Sequence, residues 1–142
     1  MTQACDYLSE MDYPLYADLR AIADGFLTDR ELQFLAPILA LLVLAFSPRG
    51  TRPPHIDFDD LSEAFRRAIQ VCAESSSSKF EEQFQTWLGG SSQPELLVIF
   101  MSAVAALSDQ APAGIRPNAK ARAGFFMILR IIIDELDRAM RE

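Results

Sequence analysis

The segment from Arg20 to Leu32 constrains the fold more than any other stretch of this chain, because it combines a helix end, a tight turn and a helix start. Gly25 can adopt the left-handed conformation that commonly stops a helix. Thr28 and Glu31 follow at the spacing of a capping box, in front of a long apolar stretch. A helix stop followed closely by a helix start predicts a pair of helices joined by a short acidic turn.

Apolar stripes at helical spacing, separated by stop signals, continue along the chain and predict an all-α, single-domain bundle of about six to seven helices. A second capping box, Ser78 with Glu81, and a third, Ser92 with Glu95, precede further apolar runs. No window alternates convincingly with the period of a strand. The predicted helices cover 13–26, 29–46, 58–74, a short segment between Ser78 and Gly89, 96–107 and 118–141.

Two features of these segments predict packing and pairing. The sixteen residues 32–47 carry no charge, and at about 1.5 Å per residue they span roughly 24 Å, short of a bilayer core of about 30 Å. We therefore expect no membrane span and predict that 32–47 is the buried central helix, with a kink at Pro37, which frees the carbonyl of Gln33. On the last helix, the i, i+4 spacing predicts the ion pairs Asp134–Arg138 and Asp137–Arg141.

Composition indicates one acidic domain, 1–142. Thirteen basic and twenty acidic residues give a net charge of −7, which argues against nucleic acid as a partner. Two cysteines, Cys5 and Cys72, are too few for a disulfide framework and favour a reducing compartment. The first residues lack the basic and apolar regions of a secretory signal, so we expect a cytoplasmic protein.

The two halves of the chain, about 13–47 and 95–140, are weakly alike. Each contains a turn with a glycine, Gly25 or Gly114, followed by an apolar helix. Aligning these glycines places Lys120 where Glu31 stands and Ala113 where Asp24 stands. An internal duplication is a hypothesis that this correspondence allows.

The phrase Ala-Ile-Ala-Asp-Gly-x-x-Thr-x-x-Glu-Leu-x-x-Leu, at 21–35, resembles the signature of the TerB tellurite-resistance domains. That family is all-helical, of similar length, and built from two related halves that each carry an Ala-Asp-Gly turn and a later Glu. The resemblance implies an acidic cation site and a role in stress-response assemblies rather than catalysis. It transfers to Asp24 and Glu31 only, since the second-half turn lacks both acids.

The acidic turn has two interpretations. Asp24, Asp29 and Glu31 offer the carboxylate oxygens that Ca²⁺ or Mg²⁺ prefers, and so few ligands predict weak affinity, on the order of millimolar. Alternatively, Glu31 closes its capping box and Asp29 complements the helix dipole. No other cofactor is indicated.

A basic cluster, Arg116, Lys120 and Arg122, stands at the start of the last helix, where positive charge opposes the helix dipole. An acidic surface of the same chain, such as 57–60, or an acidic partner could compensate it.

The chain shows no catalytic constellation. His55 is its only histidine, and no phosphate-binding loop, nucleophile elbow or zinc motif is present. We therefore expect a non-catalytic helical protein-interaction domain, and leftover apolar surface predicts a homodimer. The alternative is a carrier or sensor that holds an apolar ligand between helices. Its candidate lining residues are Phe34, Phe46, Phe100, Met101, Phe125 and Met127.

Overall fold

The computed structural model describes residues 15–22, 27–47, 54–74, 80–112, 117 and 119–141, with side chains at 17–22, 27–47, 54–70, 82, 85–112, 117 and 121–141. Within these ranges the secondary structure is helical and no strand occurs, which confirms the all-α bundle. The helices are α1 (Leu15–Ile22), α2 (Asp29–Ala45), α3 (Phe58–Glu74), α4 (Phe80–Gly89), α5 (Pro94–Gln110) and α6 (Ala119–Arg141).

The start of α2 is the capping box that the sequence predicts. The Thr28 hydroxyl accepts the Glu31 amide at 3.1 Å, and the Glu31 carboxylate accepts the Thr28 amide at 2.9 Å. These bonds satisfy two backbone donors that the first turn leaves without helical partners. The helix then continues through Pro37 and ends at Ala45.

The last helix, α6, is the centre of the bundle. It packs against α2, α3, α4 and α5. Heptad-like spacing predicts an apolar face of Phe125, Leu129, Ile132 and Leu136, and all four residues are fully buried. At 23 residues it is about 34 Å long, enough to run beneath four helices. Hydrophobic burial along this helix therefore supplies a large share of the core.

Helix α2 is a buried apolar helix of the bundle, as predicted, but it is not the most buried one, because α6 contributes more buried residues. Helix α2 contributes buried residues such as Leu35 and Leu42, but Leu41 is 43% exposed. Because α2 packs against α1, α5 and α6 only, apart from weaker contacts, one of its sides faces solvent. The absence of charged residues from 32–47 fits a fully buried helix, but it fits equally a helix that buries one side and exposes apolar residues on the other.

Helix α3 confirms its predicted boundaries and most of its predicted buried face. Helical spacing predicts that Leu61, Phe65, Ala68 and Ile69 share one buried face; the first three are buried, whereas Ile69 is 42% exposed. The carboxylate of Asp57 accepts a hydrogen bond from the Asp59 amide at 2.8 Å and so caps the start of the helix.

On the exposed side of α3, the i, i+4 spacing of Glu63 and Arg67 predicts an ion pair, and the closest atoms of the two side chains are 3.4 Å apart. Arg66 is closer to Glu63, at 2.7 Å. Hydrogen bonds from Arg66 and then Arg67 lower the pKa of the Glu63 carboxyl. The pair stabilises the charged form of Glu63 on a solvent-facing surface, where such pairs contribute little to folding.

None of the described helices is both long and apolar enough to cross a membrane.

Candidate functional site

The acidic turn is only partly within the described residues: Asp24 and Gly25 lie outside them. Of its two described acids, Glu31 accepts the Thr28 amide in the capping box. Asp29 forms an ion pair with Arg20 of α1, with 3.2 Å between nitrogen and oxygen. Both carboxylates are therefore already engaged in contacts that hold α1, the turn and α2 together.

A cation at this turn would have to compete with those contacts. Across the residues that the structure describes, no three His, Cys, Asp or Glu side chains are grouped as metal ligands. Hard cations such as Ca²⁺ take six or more oxygen ligands. The capping box confirms the capping interpretation of Glu31, whereas the dipole interpretation of Asp29 stays a prediction.

One member of the basic cluster is described with its side chain, and it is paired within the chain. Arg122 lies 2.8 Å from the Asp109 carboxylate at the end of α5. Each charge is at the unfavourable end of its own helix dipole, so their pairing compensates both. The compensating acid is Asp109, not the predicted 57–60 surface. Arg116 and the Lys120 side chain lie outside the described residues.

The turn between α4 and α5, Gly90 to Gln93, is fastened to α6 through Asp134. One oxygen of this carboxylate accepts three hydrogen bonds, from the Ser91 hydroxyl at 2.9 Å and from the Ser92 amide and hydroxyl, both at 3.0 Å. The other oxygen is 3.1 Å from Arg130. Asp134 therefore joins residues that are more than forty positions apart in the sequence.

Arg130 extends the same network. Its guanidinium lies 4.2 Å from the centroid of the Trp87 ring and donates to the Trp87 carbonyl. A cation over an indole face is attractive because of the ring quadrupole. Farther along α6, Asp137 accepts a hydrogen bond from the Gln93 side chain at 3.2 Å. We refer to the contacts of Trp87, Ser91, Ser92 and Gln93 with Arg130, Asp134 and Asp137 as the α4–α5 clamp.

The clamp corrects two predictions. Ser92 does not form a capping box with Glu95; the residue before α5 is Gln93, which makes no side-chain cap, and Pro94 opens the helix. The ion pair Asp134–Arg138 is also wrong: Asp134 pairs with Arg130. Arg138 pairs instead with Glu135 and with Asp60, the latter at 3.0 Å. The pair Asp137–Arg141 is confirmed, at 3.0 Å.

Helix α5 presents apolar side chains on two opposite sides. Leu97 and Val104 face the core, whereas Val98 is 60% and Ile99 is 63% exposed. The exposed side continues through Ser102 and Ala106 to Asp109. We call the stripe Glu95, Val98, Ile99, Ser102, Ala105, Ala106 and Asp109 the outer face of α5. Among the described large apolar side chains, Val98 and Ile99 are the most exposed.

The residues proposed to line a ligand cavity belong to the packed core or to its edge. Phe125 and Met127 are buried, and Phe34 stacks on Phe125 with 5.7 Å between ring centroids. Phe46, Phe100 and Met101 are partly buried against the same core. This arrangement is that of ordinary core packing, and it adds nothing specific to the carrier hypothesis.

His55 is exposed on the segment before α3. Among the described residues it forms no hydrogen bond or ion pair.

Comparison with protein-family models, with curated proteins and with solved structures finds no match for this chain. The TerB resemblance therefore stays a hypothesis based on 21–35.

Sequence reasoning missed the two most distinctive surface features. The clamp depends on contacts between α6 and a turn about forty residues earlier, which helical spacing cannot show. The outer face of α5 did leave a trace in the sequence, because 96–107 is apolar all round. That pattern indicates either a fully buried helix or a helix with one apolar side that the rest of the fold does not cover.

Proposed function

We propose that this chain is a non-catalytic, α-helical protein-interaction module that acts within an assembly. The observation that carries the proposal is the outer face of α5, where Val98 and Ile99 expose most of their side chains. Apolar side chains that are contiguous at a surface mark interaction sites. Helix α5 is held by the core along its buried side and by the clamp at its first turn, so the surface that it presents is fixed in shape.

The TerB resemblance is consistent with this proposal and makes it more specific. A TerB-like module would act in a stress-response assembly, with the acidic turn at 24–31 as its family feature. In this chain the described acids of the turn support the start of α2 and its contact with α1. We propose that the turn positions helices and that binding takes place at α5.

Affinity capture from cells that naturally produce the protein tests this function. The parent chain and an Ile99→Glu variant would be used as baits. The matched control is Ile69→Glu, because Ile69 is also exposed but lies on α3. With chemical crosslinking before lysis, so that weak complexes survive washing, we expect partner chains, including untagged copies of this one, to be captured by the parent and the control and lost with Ile99→Glu. Equal capture by all three baits would contradict a binding role for α5.

A further inference from the structure

We infer that the outer face of α5 binds the same face of a second copy of this chain, with the two helices antiparallel across a two-fold axis beside Ser102. This inference deepens the proposed function and depends on it, since it names the partner of the same surface.

The outer face is a single straight stripe. Its members follow the spacing i, i+3, i+4, i+7, i+10, i+11 and i+14, which places all of them on one side of a helix. The buried residues Leu97, Val104 and Ser108 lie on the opposite side. The stripe is therefore presented outward along almost the whole of α5.

Side-chain size along the stripe is complementary to itself when the stripe is reversed. The bulky residues Val98 and Ile99 occupy its first half, and the small residues Ala105 and Ala106 occupy its second half. An antiparallel copy centred on Ser102 places Val98 opposite Ala106 of the partner and Ile99 opposite Ala105. Each bulky side chain then meets a small one, which allows close helix packing.

A parallel copy in register would place the bulky pair against its own equivalent and the alanines against alanines. One end would be overfilled and the other would leave a gap, which reduces packing at the interface. The distribution of sizes thus favours the antiparallel arrangement over the parallel one.

The charges at the ends of the stripe favour the same arrangement. Glu95 is exposed at the first turn of α5 and has no ion-pair or hydrogen-bond partner among the described residues. Reversal brings it beside Asp109 of the partner, where Arg122 is already 2.8 Å from that carboxylate. The Arg122 guanidinium has several donors and can bridge both acids. Glu95 of one copy therefore meets Arg122 of the other.

The expected interface is small. A stable interface buries roughly 800 Å² per partner, and one helix of about five turns presents less than that. We therefore expect a reversible dimer that dissociates at concentrations on the order of tens of micromolar.

Disulfide trapping determines the register. Cys5 and Cys72 would first be replaced by serine, and two proteins made in that background, one with Val98→Cys and one with Ala106→Cys. Disulfides form only between residues whose Cα atoms are within about 7 Å. When the two proteins are mixed and oxidised, we expect the mixed 98–106 disulfide to exceed either symmetric product by at least about tenfold. Mass spectrometry distinguishes the three products.

A charge reversal in the otherwise natural chain gives an independent test. Because Arg122 already neutralises Asp109 of the same copy, Glu95→Lys removes the acid that meets this pair and places an ammonium beside the partner's guanidinium, so we expect the dissociation constant to rise at least several-fold. Glu82→Lys is the matched control, because Glu82 is an exposed acid on α4. Sedimentation velocity of both variants measures the change.

The outcomes separate this inference from the proposed function. A predominant 98–98 disulfide, a random mixture or no disulfide would overturn the antiparallel pairing, as would equal dissociation constants for the two lysine variants. If that happens while Ile99→Glu still abolishes capture of a different protein, the interaction function stands and the self-pairing fails. If Ile99→Glu abolishes nothing, both are wrong.

Discussion

At the scale of single residues, the start of α2 depends on reciprocal bonds between Thr28 and Glu31. Asp29 adds an ion pair with Arg20 of α1. This ion pair and the two capping bonds together connect α1 to the start of α2. Each is local in the sequence, within nine residues. Local contacts of this kind follow from residue type and spacing, which is why the sequence predicted this helix start.

Replacing Thr28 with alanine should lower the free energy of unfolding by about 1 kcal/mol, because the side chain that caps the Glu31 amide is lost. Urea denaturation followed by circular dichroism measures the change. Thr86→Ala is the control, since Thr86 lies within α4 and its hydroxyl donates to the Glu82 carbonyl rather than capping a helix. Equal effects of the two substitutions would show that the capping box does not stabilise α2.

The carboxylates of the acidic turn yield a second residue-scale prediction. Because Glu31 and Asp29 are engaged by the Thr28 amide and by Arg20, we expect no saturable heat when Ca²⁺ or Mg²⁺ is titrated into the protein. The control combines Asp24→Asn with Glu31→Gln. Heat from the parent that the control lacks would instead establish a cation site at this turn.

At the scale of elements, the clamp fixes the turn before α5 on α6. Asp134 accepts from Ser91 and Ser92 and pairs with Arg130, which stacks on Trp87. The clamp holds α5 at its first turn, and the Arg122–Asp109 pair holds it near its last. The outer face is thereby fixed at both ends, which reduces the ordering cost of binding.

Replacing Asp134 with alanine should lower the free energy of unfolding by about 2–3 kcal/mol, because partly buried donors lose a charged acceptor. Asp59→Ala is the control, an exposed acid at the start of α3 expected to cost a few tenths of a kcal/mol. Trp87 is the chain's single tryptophan, so its fluorescence reports on the clamp. Wild-type fluorescence and stability in the Asp134 variant would contradict the clamp.

The clamp also shows where prediction from sequence ends. Ser92 and Glu95 have the spacing of a capping box, but the Ser92 amide and hydroxyl bond to Asp134 instead. Ser92 therefore bonds to a carboxylate on α6 rather than to Glu95, and no residue near Ser92 in the sequence indicates this distant acceptor. For the same reason Ile69 was placed on a buried face: the helical period is correct, but the width of the covered stripe depends on the neighbouring helices.

At the scale of the whole molecule, α6 is the helix around which α2, α3, α4 and α5 pack. Its apolar face was predicted from heptad-like spacing, whereas its central position depends on how the helices pack together. The uncharged segment 32–47 was assigned that position because it lacks charge. Charged residues on α6, such as Arg130 and Asp134, are accommodated by pairing at its edge. Apolarity alone therefore does not identify a central helix.

Leu129→Ala, in the middle of α6, should lower the free energy of unfolding by about 2–5 kcal/mol, because it leaves a cavity in the core. The same substitution at Leu41, on the exposed side of α2, should cost about 1 kcal/mol or less. Thermal and urea unfolding measure both. Equal losses would mean that α6 is not more central than α2.

The proposed dimer places the outer face of α5 against the same face of a second copy. Light scattering over a concentration series from about 1 to 200 micromolar tests it most directly. We predict that the parent and Ile69→Glu rise from the chain mass of 15.9 kDa toward twice that value. Ile99→Glu should stay at the monomer mass throughout. A parent that remains at 15.9 kDa at the highest concentration, or an Ile99→Glu variant that dimerises like the control, would contradict the account.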